Sequence, residues 1–303
     1  SLNGFKRQRQ TDASLIRIYF RYICVQNRSM YTEYQPSHLL VPYIDSYWEF
    51  KGNPDYGMRI HILPDGCTDF IFTLGEVANA VEEGSLIMQP YRSYFVGPMT
   101  KYSELVTYTE SMHMFGVRFL PCGLSCFTNL PLHEFVNSRV STNEMKAVFD
   151  DTFIEKLGEQ KHVTDRIRVV EEYLLAYLAR HYQLADSHVA MAVNMINHSK
   201  GKRSVRSLMD DVCLCQRHFE RKFKHYTGFT PKEYSRIVKF KNAVELLRTT
   251  TSANLLTTAV DAGYYDLAHF SKEIKSMSGN TPASFLSLTV PEETTLTYIE
   301  PQR

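Results

Sequence analysis

Apolar and polar positions follow two different rhythms along the 303 residues. Between residues 31 and 119, short runs rich in aromatic and β-branched side chains predict strands at 47–50, 59–63, 68–74, 93–96 and 112–119. Gly52-Asn53-Pro54, Pro64-Asp65-Gly66, Gly75, Glu83-Gly84 and Gly97-Pro98 punctuate them as turns. Short strands at this spacing predict a barrel or sandwich. Past residue 120 the period changes. Residues 121–140 read as short helical or irregular pieces. From 164 to 181, Ile167, Val170, Leu174, Leu175 and Leu178 recur at helical spacing, with Thr164 as the predicted N-cap. Asp186-Ser187 is predicted to cap a helix reaching Ile196, and 231–249 reads as one helix with Tyr234, Ile237, Phe240, Val244 and Leu247 near one face. After Leu288 the pattern fades, so the tail is expected to be ordered only where it docks.

Within the helical half, two similar strings lie about fifty positions apart. The first, 208–224, closes at Gly228-Phe229-Thr230-Pro231; the second, 258–275, closes at Gly279-Asn280-Thr281-Pro282. Each offers a short apolar helix, a tight turn and a second helix with polar and basic side chains. In each closing string Gly suits a left-handed helix end and Pro the start of the next helix. The pattern predicts two helix-turn-helix units in tandem, a shape that grips two successive turns of DNA. In the first unit Phe219 and Phe223 are i and i+4 and share the buried face. That leaves Arg217, Glu220 and Arg221 for base edges, where Arg can bond guanine bidentately and Glu can accept from cytosine. Lys222 and Lys224 are read as phosphate contacts, which position without reading sequence. In the second unit Gly263 makes the turn, Asp266 caps a helix starting at Leu267, and Phe270 and Ile274 anchor it. Leu267, Ala268, His269, Lys272 and Glu273 remain for the groove, with Lys232 and Lys275 as further backbone contacts.

Composition sharpens this picture. At 44% hydrophobic and 22% charged the chain is an ordinary globular protein with room for two domains. Its net charge of +1 hides an asymmetry: residues 200–280 hold 15 Lys and Arg against 8 Asp and Glu, and residues 30–199 hold 12 against 21. Only the C-terminal part is therefore expected to face a polyanion. Residues 1–29, with six Lys and Arg and one Asp, are read as a basic extension, disordered or not native to the chain. No run reaches the apolar length of a membrane span, and no secretory signal pattern is present. The six cysteines are irregularly spaced, which suits structural thiols in a reducing cytoplasm. His61, Cys67 and His113 lack metal-ligand spacing and are read as structural, so neither metal nor cofactor is expected.

The segment from about 187 to 288 resembles the DNA-binding domain of the AraC/XylS family of bacterial transcription regulators. The likeness is carried by Arg217-His218-Phe219-x-Arg221-x-Phe223-Lys224, Gly228-x-Thr230-Pro231-Lys232-Glu233-Tyr234, Ala259-x-x-x-Gly263-Tyr264-x-Asp266-x-x-His269-Phe270 and Gly279-x-Thr281-Pro282-x-x-Phe285. The resemblance implies seven helices, with a long helix joining two units that enter adjacent major grooves about 34 Å apart. The first unit departs from the family where Met209 replaces a small residue, Cys213 a Gly and Cys215 a Ser cap. The N-terminal part resembles the barrel-like, cupin-like sensor domain of one AraC subgroup through Tyr34-Gln35-Pro36, Tyr47-Trp48, Ile62-Leu63-Pro64-Asp65-Gly66-Cys67-x-Asp69-Phe70-Ile71-Phe72 and Gly116-Val117-Arg118-Phe119. The family thereby implies a small-molecule effector, for which Trp48, His61 and Arg118 are the candidates, together with duplex DNA, RNA polymerase and a second copy of the chain as partners.

The expected fold is α+β in two domains: a basic extension at 1–29, a β-rich effector or dimerisation domain at 30–160, a helical connector at 161–186, the DNA-binding domain at 187–288 and a tail at 289–303. The expected function is that of a sequence-specific regulator, more often an activator in this family. An architectural DNA-binding protein without effector is the alternative. Enzyme readings fare worse: the β-rich part has no His-x-His pair for a cupin-type metal site, and Pro121-Cys122 lacks the following His-Arg of a methyl-accepting cysteine.

Overall fold

The computed structural model describes residues 30–54, 59–75, 80–82, 88–107, 111–145, 148–149, 151–181, 185–212, 214–249, 254–286 and 297–299. The basic segment 1–29, the Glu83-Gly84 turn, Cys213 and most of the tail fall outside them. Strands β1 (Tyr31–Tyr34), β2 (Ile44–Gly52), β4 (Thr68–Thr73), β6 (Ser93–Val96), β8 (Met112–Phe119) and β9 (Arg139–Ser141) make a six-stranded sheet ordered β1-β2-β8-β4-β6-β9. A second sheet, ordered β10-β3-β7-β5, holds β3 (Arg59–Ile62), β5 (Ala80–Glu82), β7 (Ser103–Thr107) and β10 (Thr297–Ile299). Adjacent strands pair antiparallel throughout.

The larger sheet is buried on both faces, which explains why 68–74 reads as a nearly continuous apolar run rather than a clean alternation. Phe70, Phe72, Phe95, Phe115 and Phe119 pack with Phe149 and with helical residues such as Phe153, Val170 and Leu174. Ile71, Tyr94, Val96 and Met114 turn the other way, onto Ile60 and Leu105 of the smaller sheet. Each fully buried Phe on this scale contributes about 1.5–3 kcal/mol.

Helices α1 (Asp151–Gly158) and α2 (Val163–Arg180) cover the outer face. The sequence leaves α2 open as a domain connector, a dimerisation surface or a helix packed on its own chain; its apolar face packs into the β-rich core. Val170 and Leu174 are fully buried in that core. Arg166 reaches Glu49 at 3.0 Å, and Glu171 accepts from the Ser37 amide at 2.7 Å. The helix begins behind His162 in extended backbone, so Thr164 lies inside the first turn and is not the cap.

Seven helices follow among the described residues: α3 (Ser187–His198), α4 (Val205–Val212), α5 (Gln216–Thr227), α6 (Pro231–Thr249), α7 (Leu255–Asp261), α8 (Leu267–Ser278) and α9 (Pro282–Leu286). Asp186 caps α3 by accepting from the His188 and Val189 amides. The long α6 starts with Pro231 in the first position and a reciprocal capping box: the Glu233 carboxylate accepts from the Thr230 amide at 2.7 Å, and the Thr230 hydroxyl accepts from the Glu233 amide at 3.1 Å. The two halves share a core. Leu63 and Cys122 of the β-rich part belong to the same buried cluster as Phe223, Tyr234 and Phe270.

Candidate nucleic-acid interface

Helices α5 and α8 each pair one apolar anchor face with one open polar face. In α5, Phe219 and Phe223 are fully buried, with ring centroids 5.6 Å apart, while Arg217, Arg221 and Lys224 are exposed. In α8, Phe270 and Ile274 are fully buried, and Leu267, Ala268, His269, Lys272 and Lys275 are exposed. Lys232 stands exposed in the first turn of α6. The open faces thus present guanidinium, ammonium, imidazole and apolar groups, the set needed for phosphates, guanine edges and thymine methyls.

The scaffold residues fall where the two strings placed them. Gly228 and Gly279 close α5 and α8 in the left-handed conformation, their amides bonding the Lys224 and Lys275 carbonyls at 2.9 Å each. Gly263 makes the turn before α8 at φ 85°. Asp266 caps α8, its carboxylate accepting from the His269 amide at 2.7 Å. The first unit lacks that bond: Cys215 sits at the N-cap in extended backbone, φ −66° and ψ 144°, with no side-chain cap.

The C-terminal ends of α5 and α8 also lean on the β-rich part. A Cβ at Gly228 would come 2.5 Å from the Pro98 ring, and one at Gly279 would come 2.8 Å from Tyr102. His133 and His225 face each other across the first of these contacts, ring centroids 6.5 Å apart.

Three expected site residues are engaged elsewhere. Lys222 is half-buried, and its Nζ donates to Asp186 at 2.6 Å, which ties α5 to the start of α3 rather than leaving a charge for phosphate. Burial works against the Asp186 carboxylate, but Lys222 and the amides of the cap outweigh it and hold its pKa below the usual range. Glu273 is also half-buried; both its oxygens accept from Arg236 of α6 at 3.0 Å, so it braces α8 instead of facing a base. Glu220 accepts from the Gln216 amide group at 2.9 Å on the edge of the open face. Sequence reasoning passed over Tyr265, 91% exposed immediately before the α8 cap. Its aromatic character reads as core unless the turn around it is known.

Between the two sheets lies a narrow cavity of about 50 Å³. Trp48 and Arg118 line it, together with Tyr31, Phe50, Ile60 and Leu105. His61, the third effector candidate, is not in its wall: Nε2 sits 2.8 Å from Glu104 and the ring stacks on Tyr102. Asp69 takes its place. The Trp48 indole donates to Asp69 Oδ1 at 2.8 Å, and Arg118 Nε donates to the same oxygen at 3.2 Å. Register explains the grouping, because Asp69 stands directly opposite Arg118, and Trp48 opposite Gly116. Any side chain at position 116 would occupy the Trp48 ring, so glycine is what lets the indole lie across the strand. Burial opposes the Arg118 charge, yet Asp69, Asp65 and Glu33 hold the guanidinium firmly protonated; burial raises the Asp69 pKa. Among the described residues no His, Cys, Asp or Glu side chains gather as a metal site, and no helix is long and apolar enough to cross a membrane.

Comparison with known proteins bears on each half separately. Residues 32–141 match a family described as a domain of unknown function (DUF6597), and residues 208–287 match a family described as a helix-turn-helix domain. No curated protein matches the chain. Similar solved structures include the xylose-binding transcription activator XylR, at 24% identity over 36% of this chain and 29% of that one, TM-score 0.33. ToxT from Vibrio cholerae is 9% identical over 85% of this chain and 98% of its own, TM-score 0.41. A probable AraC family regulator from Rhodopseudomonas palustris is 20% identical over 35% of this chain and all of its own, TM-score 0.32. The chain thus spans less than a third of XylR. Residues 208–287 thus match a helix-turn-helix domain, and residues 32–141 of the β-rich half match the domain of unknown function.

Proposed function

We propose that this chain is a sequence-specific DNA-binding transcription regulator whose two recognition helices, α5 and α8, read adjacent major grooves. The observation that carries the reading is the pair of anchored helices with open basic faces, whose two units are joined by a single 19-residue helix about 28 Å long. In this reading Arg217, Arg221, Leu267, Ala268, His269 and Lys272 approach bases, and Lys224, Lys232 and Lys275 contact phosphates. Tyr265 joins them at the mouth of the second unit. Selection of duplexes from a random pool, followed by mobility shifts from roughly 50 to 200 mM salt, tests it. Affinity should fall steeply with salt; no binding at the low end overturns the reading.

The β-rich half supplies the regulatory input in this proposal, through a small molecule held between Trp48, Asp69 and Arg118. The cavity of about 50 Å³ is below the roughly 300–1,000 Å³ of ordinary ligand sites, so the sheets must part to admit it. That narrowness also favours a second reading, an architectural DNA-binding protein with no effector. A thermal-shift screen separates them: a stabiliser lost in Arg118→Met supports sensing, and none across a broad panel supports the architectural role. Activation through RNA polymerase and a homodimeric state complete the first reading, on the family resemblance alone. Transcription from a bound promoter and light scattering with and without duplex test those two parts.

A further inference from the structure

Contacts run without a gap from the cavity to the first recognition helix. Arg118, 7% exposed at the polar end of the cavity, places Nε 3.7 Å from Asp65 Oδ2. Asp65 holds its own turn closed, Oδ1 accepting from the Cys67 amide at 2.8 Å. Its carbonyl accepts from Lys241 Nζ of α6 at 3.0 Å. The next residue, Gly66, stands at φ 88°, and a Cβ there would lie 2.7 Å from the Tyr234 ring of the same helix. Tyr234 in turn packs on Phe223, the buried anchor of α5, with centroids 5.9 Å apart, and its hydroxyl donates to Asn197 of α3 at 2.9 Å.

We propose that the Asp65-Gly66 turn couples the cavity to the DNA-reading helices, so that filling the cavity and binding DNA each change the other. The inference rests on the DNA-binding reading and specifies how that reading is regulated. Arg118 is shared between Asp69, inside the cavity, and Asp65, on the turn. A group that draws the guanidinium inward loosens its hold on Asp65. The turn is then free to move, and both its contacts to α6 move with it. Packed interiors respond to such shifts by changing arrangement rather than by stretching. Coupling of this kind is reciprocal, so the cavity must also sense DNA.

The protein carries its own reporter for that reverse effect. Trp48 is its single tryptophan, lines the cavity, and bonds the same Asp69 oxygen as Arg118. The experiment adds a fluorescently labelled duplex, chosen by selection from a random pool, to the full chain. Anisotropy of the label reports binding while Trp48 emission is excited selectively. The expected result is a change in Trp48 emission that saturates with the anisotropy and is at least halved in Asp65→Asn and in Lys241→Met at saturating duplex. Binding with an unchanged Trp48 spectrum overturns the coupling. A change that survives intact in both variants overturns the route through Asp65. Absence of any anisotropy change overturns the DNA-binding reading itself, and the coupling with it.

Discussion

Substituting Cys215→Ser should stabilise the protein, and its size follows from the local geometry. Cys215 already has the extended backbone of an N-cap and is exposed, so the change costs no burial. A good capping side chain is worth about 0.5–2 kcal/mol. Here the His218 amide already bonds the Cys215 carbonyl at 3.0 Å, so a serine hydroxyl would share that donor or take the Arg217 amide instead. The gain should therefore sit in the lower half of the range, about 0.5–1 kcal/mol. For a chain of this size that is roughly 1–2 °C in Tm. Asp266→Ala is the mirror experiment, removing one 2.7 Å bond and a carboxylate beside a helix N-terminus, for a loss of about 1–2 kcal/mol. Urea denaturation measures both, provided the slope m stays fixed while the midpoint moves. If Cys215→Ser leaves the midpoint unmoved or lowers it while Asp266→Ala costs its share, the first unit does not lack a cap, and the contrast between the units is wrong.

Three other outcomes are expected. Lys224→Ala should reduce the slope of log affinity against log salt by about 1, whereas Lys222→Ala, bonded to Asp186, should leave it unchanged; equal slopes would return Lys222 to the phosphate contacts. Acid should destabilise the fold through Glu49 and Asp186, whose folded pKa values are lowered: burial raises each, but His113 and Arg166 for Glu49, and Lys222 for Asp186, more than reverse it. Their contribution is present above the ordinary carboxylate pKa of about 4 and is lost as pH falls through it. Urea midpoints between neutral and acid pH should show that loss, and Asp186→Asn should flatten the dependence. Gly66→Ala should cost about 2 kcal/mol or more, from left-handed backbone strain and the displaced Tyr234 ring, and a near-neutral midpoint would show that the turn is not tightly packed on α6.

Much of the helical half was legible because its rules are local. An i, i+4 pair such as Phe219 and Phe223, an Asp266 cap or a Thr230-Pro231 start is written within a few residues, and α6 begins and ends where its pattern does. The β-rich half hid more. β1, β5, β7 and β9 are three to five residues long, too short to show alternation, and β10 pairs with β3 from the far end of the chain. The cavity partner Asp69 depends on its register with Arg118, which no spacing reveals. Lys222 and Glu273 looked free because their partners, Asp186 and Arg236, are 36 and 37 residues away.

The close approaches of Gly228 to Pro98 and of Gly279 to Tyr102 brace the ends of α5 and α8 against the β-rich half. If α5 and α8 read DNA as proposed, two heads held at one fixed offset cannot each settle independently on its own groove. One extra base pair between the half-sites lengthens the path by about 3.4 Å and rotates the second groove by roughly a tenth of a turn. A flexible linker would absorb that error; a braced pair must instead break a contact with the β-rich half or lose one groove. On that proposed reading, spacing as much as sequence would be something this protein measures.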